Sequence, residues 1–131
     1  MLGKCEHLNT GGSVKDRIAR VIIDEAETRG VLRPWATIIE ATAGNTGIGL
    51  ALAASARGYG LACVLPEKMS EDKRKSLRLL GAEVIVTANA PPSHADNFQN
   101  VATRTLDGPV VALLPDAWDR YQSLDWMDQP P

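Results

Sequence analysis

Thr37-Ile38-Ile39-Glu40-Ala41-Thr42-Ala43-Gly44-Asn45-Thr46-Gly47-Ile48-Gly49 is the stretch that decides the fold. It opens as a short run rich in β-branched residues, which reads as a buried strand over 37–40. It then passes through small polar residues into a helix that continues to about Arg57, where Gly58 closes it. A strand running through a small-residue loop into a helix is the unit from which parallel sheets are built. Backbone amides of residues 42–46 at such a helix start face outward in a positive field, suited to a carboxylate or a phosphate.

Working outward, the same alternation repeats. Leu61 to Leu65 reads as an apolar strand before Pro66, and Ser70 as the cap of a helix with Glu71 and Asp72 in its first turn. Gly81 ends that helix, and Glu83 to Thr87 reads as a third strand. A loop over 90–94, a short helix from about Asp96 to Thr105, a strand from Val110 to Leu114 and a last amphipathic stretch from Asp116 follow. This order predicts an α/β protein. Its sheet is parallel and open with helices on both faces, three layers in all, and the crossovers are right-handed.

Upstream, Asn9-Thr10-Gly11-Gly12-Ser13-Val14-Lys15-Asp16-Arg17 is a glycine-rich bend that delivers one lysine at the mouth of a helix. Ser13 is the candidate N-cap, with Asp16 as the first-turn acid. Lys15 adds a positive charge where unpaired amides already make the field positive, a setting that favours the neutral amine needed for Schiff-base chemistry. From Lys15 to Arg29 the pattern predicts a helix burying Ile18, Val21, Ile22 and Ala26. Residues 1–8 are expected to hold a short strand ending near Leu8.

Composition bounds the rest. The 131 residues, 44% hydrophobic and 23% charged, are those of one globular domain. A net charge of −2 gives no reason to expect nucleic acid or an anionic membrane as a partner. Two cysteines, Cys5 and Cys63, stand far apart without a CxxC, so neither a disulfide scaffold nor a cysteine zinc site is expected. Both are expected to be inert packing residues. His7 and His94 have no metal-like spacing, and no metal site is expected. No leader or membrane span is read, and a cytoplasmic location is the expectation. Nucleotide loops fit poorly: Gly44, Gly47 and Gly49 miss the GxGxxG spacing, and the bend at Gly11 lacks the first glycine of a Walker loop.

Taken together, the two loops resemble the fold-type II enzymes that use pyridoxal phosphate, in particular the cystathionine β-synthase and cysteine synthase family. The resemblance is carried by residues 4–17 and 40–47, with Arg57-Gly58-Tyr59, residues 65–70 and residues 79–84 in support. It implies that Lys15 carries the cofactor and moves the proton at the substrate α-carbon. Asn45 would meet the cofactor's 3-oxygen. Thr42, Ala43, Gly44, Asn45 and Thr46 would grip the amino-acid carboxylate. The implied reaction is β-replacement on serine with a thiol such as homocysteine, or alternatively on O-acetylserine with sulfide. Residues 66–70 and the Pro91-Pro92 loop resemble cystathionine β-synthase more. A further alternative is a non-catalytic remnant that binds an amino acid or a partner.

Three departures stand out. Ala43 replaces the family's usual serine, and Thr10 a common proline. After about residue 104 the family's cofactor-phosphate loop is absent, so residues 1–105 read as the N-terminal part of the catalytic domain. Residues 106–131 read as the family's final strand and helix, joined after a deletion. Exposed sheet edges are then expected, and with them a homodimer.

Overall fold

A computed structural model describes residues 2–42 and 44–105 and the backbone of 110–113. Four parallel strands, β1 (Thr37–Ala41), β2 (Gly60–Pro66), β3 (Glu83–Thr87) and β4 (Val110–Leu113), form one sheet in the order β3-β2-β1-β4. β1 lies between β2 and β4, with Ile38 opposite Leu61 and Val111, and Glu40 opposite Cys63 and Leu113. Helices α1 (Lys15–Thr28), α2 (Asn45–Arg57), α3 (Glu71–Leu79) and α4 (Phe98–Arg104) join and cover the strands.

Alternation along the strands sorts the core into two layers. Ile38, Leu61, Cys63 and Leu65 pack with Ala19 and Ile23 of α1, Leu50, Ala51 and Ala54 of α2, and Leu77 of α3. Ile39, Ala41, Ala62 and Val64 face the other way, onto Ala102 of α4, with Phe98 and Val101 beside it. The sheet is therefore covered on both faces, as the strand–helix alternation requires.

α1 and α2 lie side by side and run in the same direction. A Cβ added at Gly49 of α2 would stand 2.9 Å from the Lys15 carbonyl oxygen and 3.1 Å from Ala19 Cβ. At the far ends of the two helices, Arg57 reaches Glu27 at 2.7 Å and also pairs with Asp24. Hydrogen bonds from Arg57 hold the Asp24 carboxyl below its ordinary range. Gly58 closes α2 in the left-handed region at φ 76°, where a side chain would be strained.

Four sequence expectations are corrected. Residues 6–8 form a 3-10 turn rather than a strand. Glu6 binds the Asn9 side chain at 2.6 Å and Arg17 at 3.0 Å, and these local bonds replace a ladder. Cys5 is exposed rather than packed, whereas Cys63 is buried. α1 buries Ala19 and Ile23, while Ile18 and Val21 face outward at 40% and 61% exposure. The close approach at Gly49 admits a small residue such as Ala19 and turns the β-branched pair away. Ser13 does not cap α1, which starts after Val14, although its hydroxyl accepts from the Lys15 amide at 3.2 Å.

The helix foreseen from Asp96 begins at Phe98, because Asn97 caps it by accepting from the Gln99 amide. The expected strand from Val110 is present as β4, while the stretch from Asp116 onward lies outside the described residues.

Candidate functional site

β1 runs directly into Thr42, and Gly44 precedes α2, so this connection sits at the carboxyl end of the sheet. Its entrance is pinned. The Thr42 amide donates to the Val64 carbonyl at 3.1 Å, continuing the ladder with β2 past the last strand residue. The Thr42 hydroxyl accepts from the Gly44 amide at 3.3 Å, and Thr42 itself is only 5% exposed. α2 presses on this turn from above: a Cβ at Gly47 would meet Thr42 Cγ2 at 2.6 Å and Cys63 Sγ at 3.6 Å. Glycine at 47 is therefore a packing requirement.

Gly44 precedes α2 with extended backbone and no side-chain cap bond. Among the described residues no side chain caps the first turn of α2, a place where backbone amides can meet an anion, and nothing lies within 4 Å of the Cβ position at Gly44. Asn45 is exposed at the first position of α2, Thr46 is half-buried behind it, and Ala43 lies outside the described residues.

Lys15 is the first residue of α1, and its carbonyl is the atom that Gly49 approaches. Gly49 is one turn beyond Asn45. The parallel packing therefore brings the start of α1 and the start of α2 to the same end of the sheet. Two helix N-termini with their positive dipole ends together favour an anion between them. The bend ahead of Lys15 is stapled by Asp16, whose carboxylate accepts from the Gly11 amide at 2.6 Å. Asp16 was expected only as a dipole partner for α1. Its structural role is to tie the glycine bend to the helix.

Sequence reading overlooked Glu40. It is 1% exposed, on the sheet face that α1 and α2 cover, two residues before Thr42. Its Oε1 is buried without a hydrogen-bond partner among the described residues. Burial pushes its carboxyl from the ordinary 4.5 up to about 8. Burial, and then the neighbouring Glu40, push the Cys63 thiol up to about 12. An acidic residue inside an otherwise apolar strand, beside a loop, was the signal available in the sequence.

Among the described residues no group of three His, Cys, Asp or Glu side chains could hold a metal. No helix there is long and apolar enough to cross a membrane.

A parallel α/β sheet with helices on both faces, and with the starts of α1 and α2 at its carboxyl edge, places the chain in the class of open parallel α/β proteins. The chain belongs to the family described as pyridoxal-phosphate dependent enzyme, whose profile matches residues 1–121. Cystathionine β-synthase of Apis mellifera is 56% identical over 92 residues, 70% of this chain and 18% of the relative. Cysteine synthase 1 of Neurospora crassa is 47% identical over 104 residues, 79% of this chain and 28% of the relative. Among solved structures, O-ureido-L-serine synthase superposes with a TM-score of 0.71 at 39% identity, covering 78% of this chain and 32% of that one. The chain thus spans less than a third of each of these relatives.

The residues present fit the family's cofactor in part. An amine at Lys15, an amide side chain at Asn45 and uncapped helix amides are the donor types that such an anionic, carbonyl-bearing ring requires.

Proposed function

We propose that this chain carries the lysine and carboxylate-gripping portion of a pyridoxal-phosphate enzyme of amino-acid sulfur metabolism, acting by β-replacement on serine with a thiol. The observation that supports the reading is the packing of α1 against α2, in which Gly49, one turn into α2, approaches the backbone of Lys15 at the start of α1. When bound, the cofactor supplies the electron sink for negative charge at the substrate α-carbon. The Lys15 amine holds the cofactor, then takes and returns the proton at that carbon. The loop over Thr42, Ala43, Gly44, Asn45 and Thr46 holds the substrate carboxylate with backbone amides, and the Asn45 side chain orients the ring. The serine β-hydroxyl would leave as water, the homocysteine thiol would give up a proton to balance it, and the thiol sulfur would take the hydroxyl's place on the β-carbon.

Identities of 54–56% to animal cystathionine β-synthases support serine and homocysteine as the substrates. O-acetylserine with sulfide is the second reading, favoured by the larger share of this chain that matches cysteine synthase 1. On the same reading, residues 1–105 are the N-terminal part of the catalytic domain and 106–131 its final strand and helix, with a second copy of the chain as a partner.

The test is reductive trapping. Borohydride added to the chain with pyridoxal phosphate is expected to leave the pyridoxyl label on Lys15, and Lys15→Ala to lose it. An even spread of label over surface lysines rejects the site. Product from serine plus homocysteine, compared with acetylserine plus sulfide, separates the two reactions. Serine binding without either product identifies a binding remnant.

A further inference from the structure

We propose that Glu40 is a proton-linked positioning residue: protonated, it lets the loop over 42–46 hold a carboxylate, and ionised, it repels one. The inference rests on the carboxylate-gripping role given above to that loop. Glu40 stands two residues before Thr42, on the face roofed by the first turn of α2, where a Cβ added at Gly47 would meet both Thr42 and Cys63. At 1% exposure, and with Oε1 buried without a partner among the described residues, Glu40 is costly to ionise. A proton is therefore held beneath the place where an anion is to bind.

The surroundings offer little to compensate its charge. α2 presents Gly47, Leu50, Ala51 and Ala54 to this layer, α1 presents Ala19 and Ile23, and none of them titrates. From β2 the facing group is the Cys63 thiol, which burial keeps neutral. α3 presents Leu77 to the same layer. The charged side chains at the start of α1 are Lys15, half-buried at the mouth, Asp16, which accepts from the Gly11 amide, and Arg17, which pairs with Glu6. Burial holds Glu40 protonated up to about pH 8, so its charge appears only in mildly alkaline solution. A negative charge on Glu40 and one on a carboxylate held at the start of α2 repel each other through a weakly polarisable interior. Carboxylate binding and Glu40 protonation must then strengthen one another by the same factor.

The probe is propionate, which has no amine and stays ionised throughout the range. Its binding to the 131-residue chain is followed through the Gly44 and Asn45 amide resonances. Between about pH 6.5 and about pH 9.5 the dissociation constant is expected to rise about tenfold, and to stay flat in Glu40→Gln. In the native chain the carbon-13 signal of the Glu40 carboxyl should titrate near pH 8 and move to higher pH with propionate bound. That second measurement stands whether or not the variant folds. Propionate binding with the same pH profile in both chains, or a Glu40 carboxyl already ionised at about pH 6, overturns the inference and leaves the loop reading intact. No propionate binding at any pH rejects the loop reading as well.

Discussion

Replacing Gly49 by alanine sets two effects of opposite sign against each other at the contact that aligns the site. Alanine favours a helix over glycine by about 1 kcal/mol, so an open position would be stabilised. Here the new Cβ would lie 2.9 Å from the Lys15 carbonyl oxygen and 3.1 Å from Ala19 Cβ. Ordinary contacts are about 3.5 Å, so α1 and α2 must separate by roughly half an ångström. Neither neighbour is the end of a flexible side chain, so no rotamer change relieves the overlap. Overpacking of this kind costs about 1–3 kcal/mol, with the upper half applying where backbone must move. The net expectation is a loss of about 1–2 kcal/mol, a fall in Tm of roughly 3–6 °C. Urea unfolding followed by far-ultraviolet circular dichroism reads the stability, and borohydride trapping reads the yield of label on Lys15. Both should fall. A Gly49→Ala chain as stable as the native one, or more stable, would refute the close approach and with it the alignment of Lys15 beside α2.

Stability should fall as pH rises from 4.5 towards about 8, because the unfolded chain ionises Glu40 first while the fold keeps its proton. The limiting slope for one such group is about 1.4 kcal/mol per pH unit, and Glu40→Gln should flatten the profile in urea titrations across that range. Gly47→Ala should displace Thr42 from the turn it shares with Gly44, weakening propionate binding more than it lowers the urea midpoint. Asn97→Ala removes an acceptor for the Gln99 amide and a donor to the Ala90 carbonyl in a buried setting. It should cost about 1–2 kcal/mol by the same urea assay while leaving Lys15 labelling unchanged.

The strand–helix alternation, the parallel sheet and the ends of α2 were legible because each rests on neighbours in the chain. β-branched runs, small-residue loops and Gly58 act over a few residues. The candidate loop and lysine were legible for the same reason: a glycine bend before a helix and small polar residues before another are local patterns. The 3-10 turn at Glu6 was not legible, since Arg17, eleven residues away, supplies part of what holds it. The exposure of Ile18 and Val21 was likewise hidden, because both faces of α1 carry apolar residues and periodicity alone cannot choose between them.

Sequence alone thus determined which segments from Lys15 onward, among the described residues, become strands and helices, and that a lysine follows the glycine bend. Folding decided which face of α1 is buried, that α1 and α2 start at the same end, and that Glu40 is buried with Oε1 unpartnered among the described residues. The reason is physical. Periodicity and capping are short-range effects, whereas the approach of Gly49 to Lys15 and the burial of Glu40 depend on chain segments distant in sequence meeting at atomic contact.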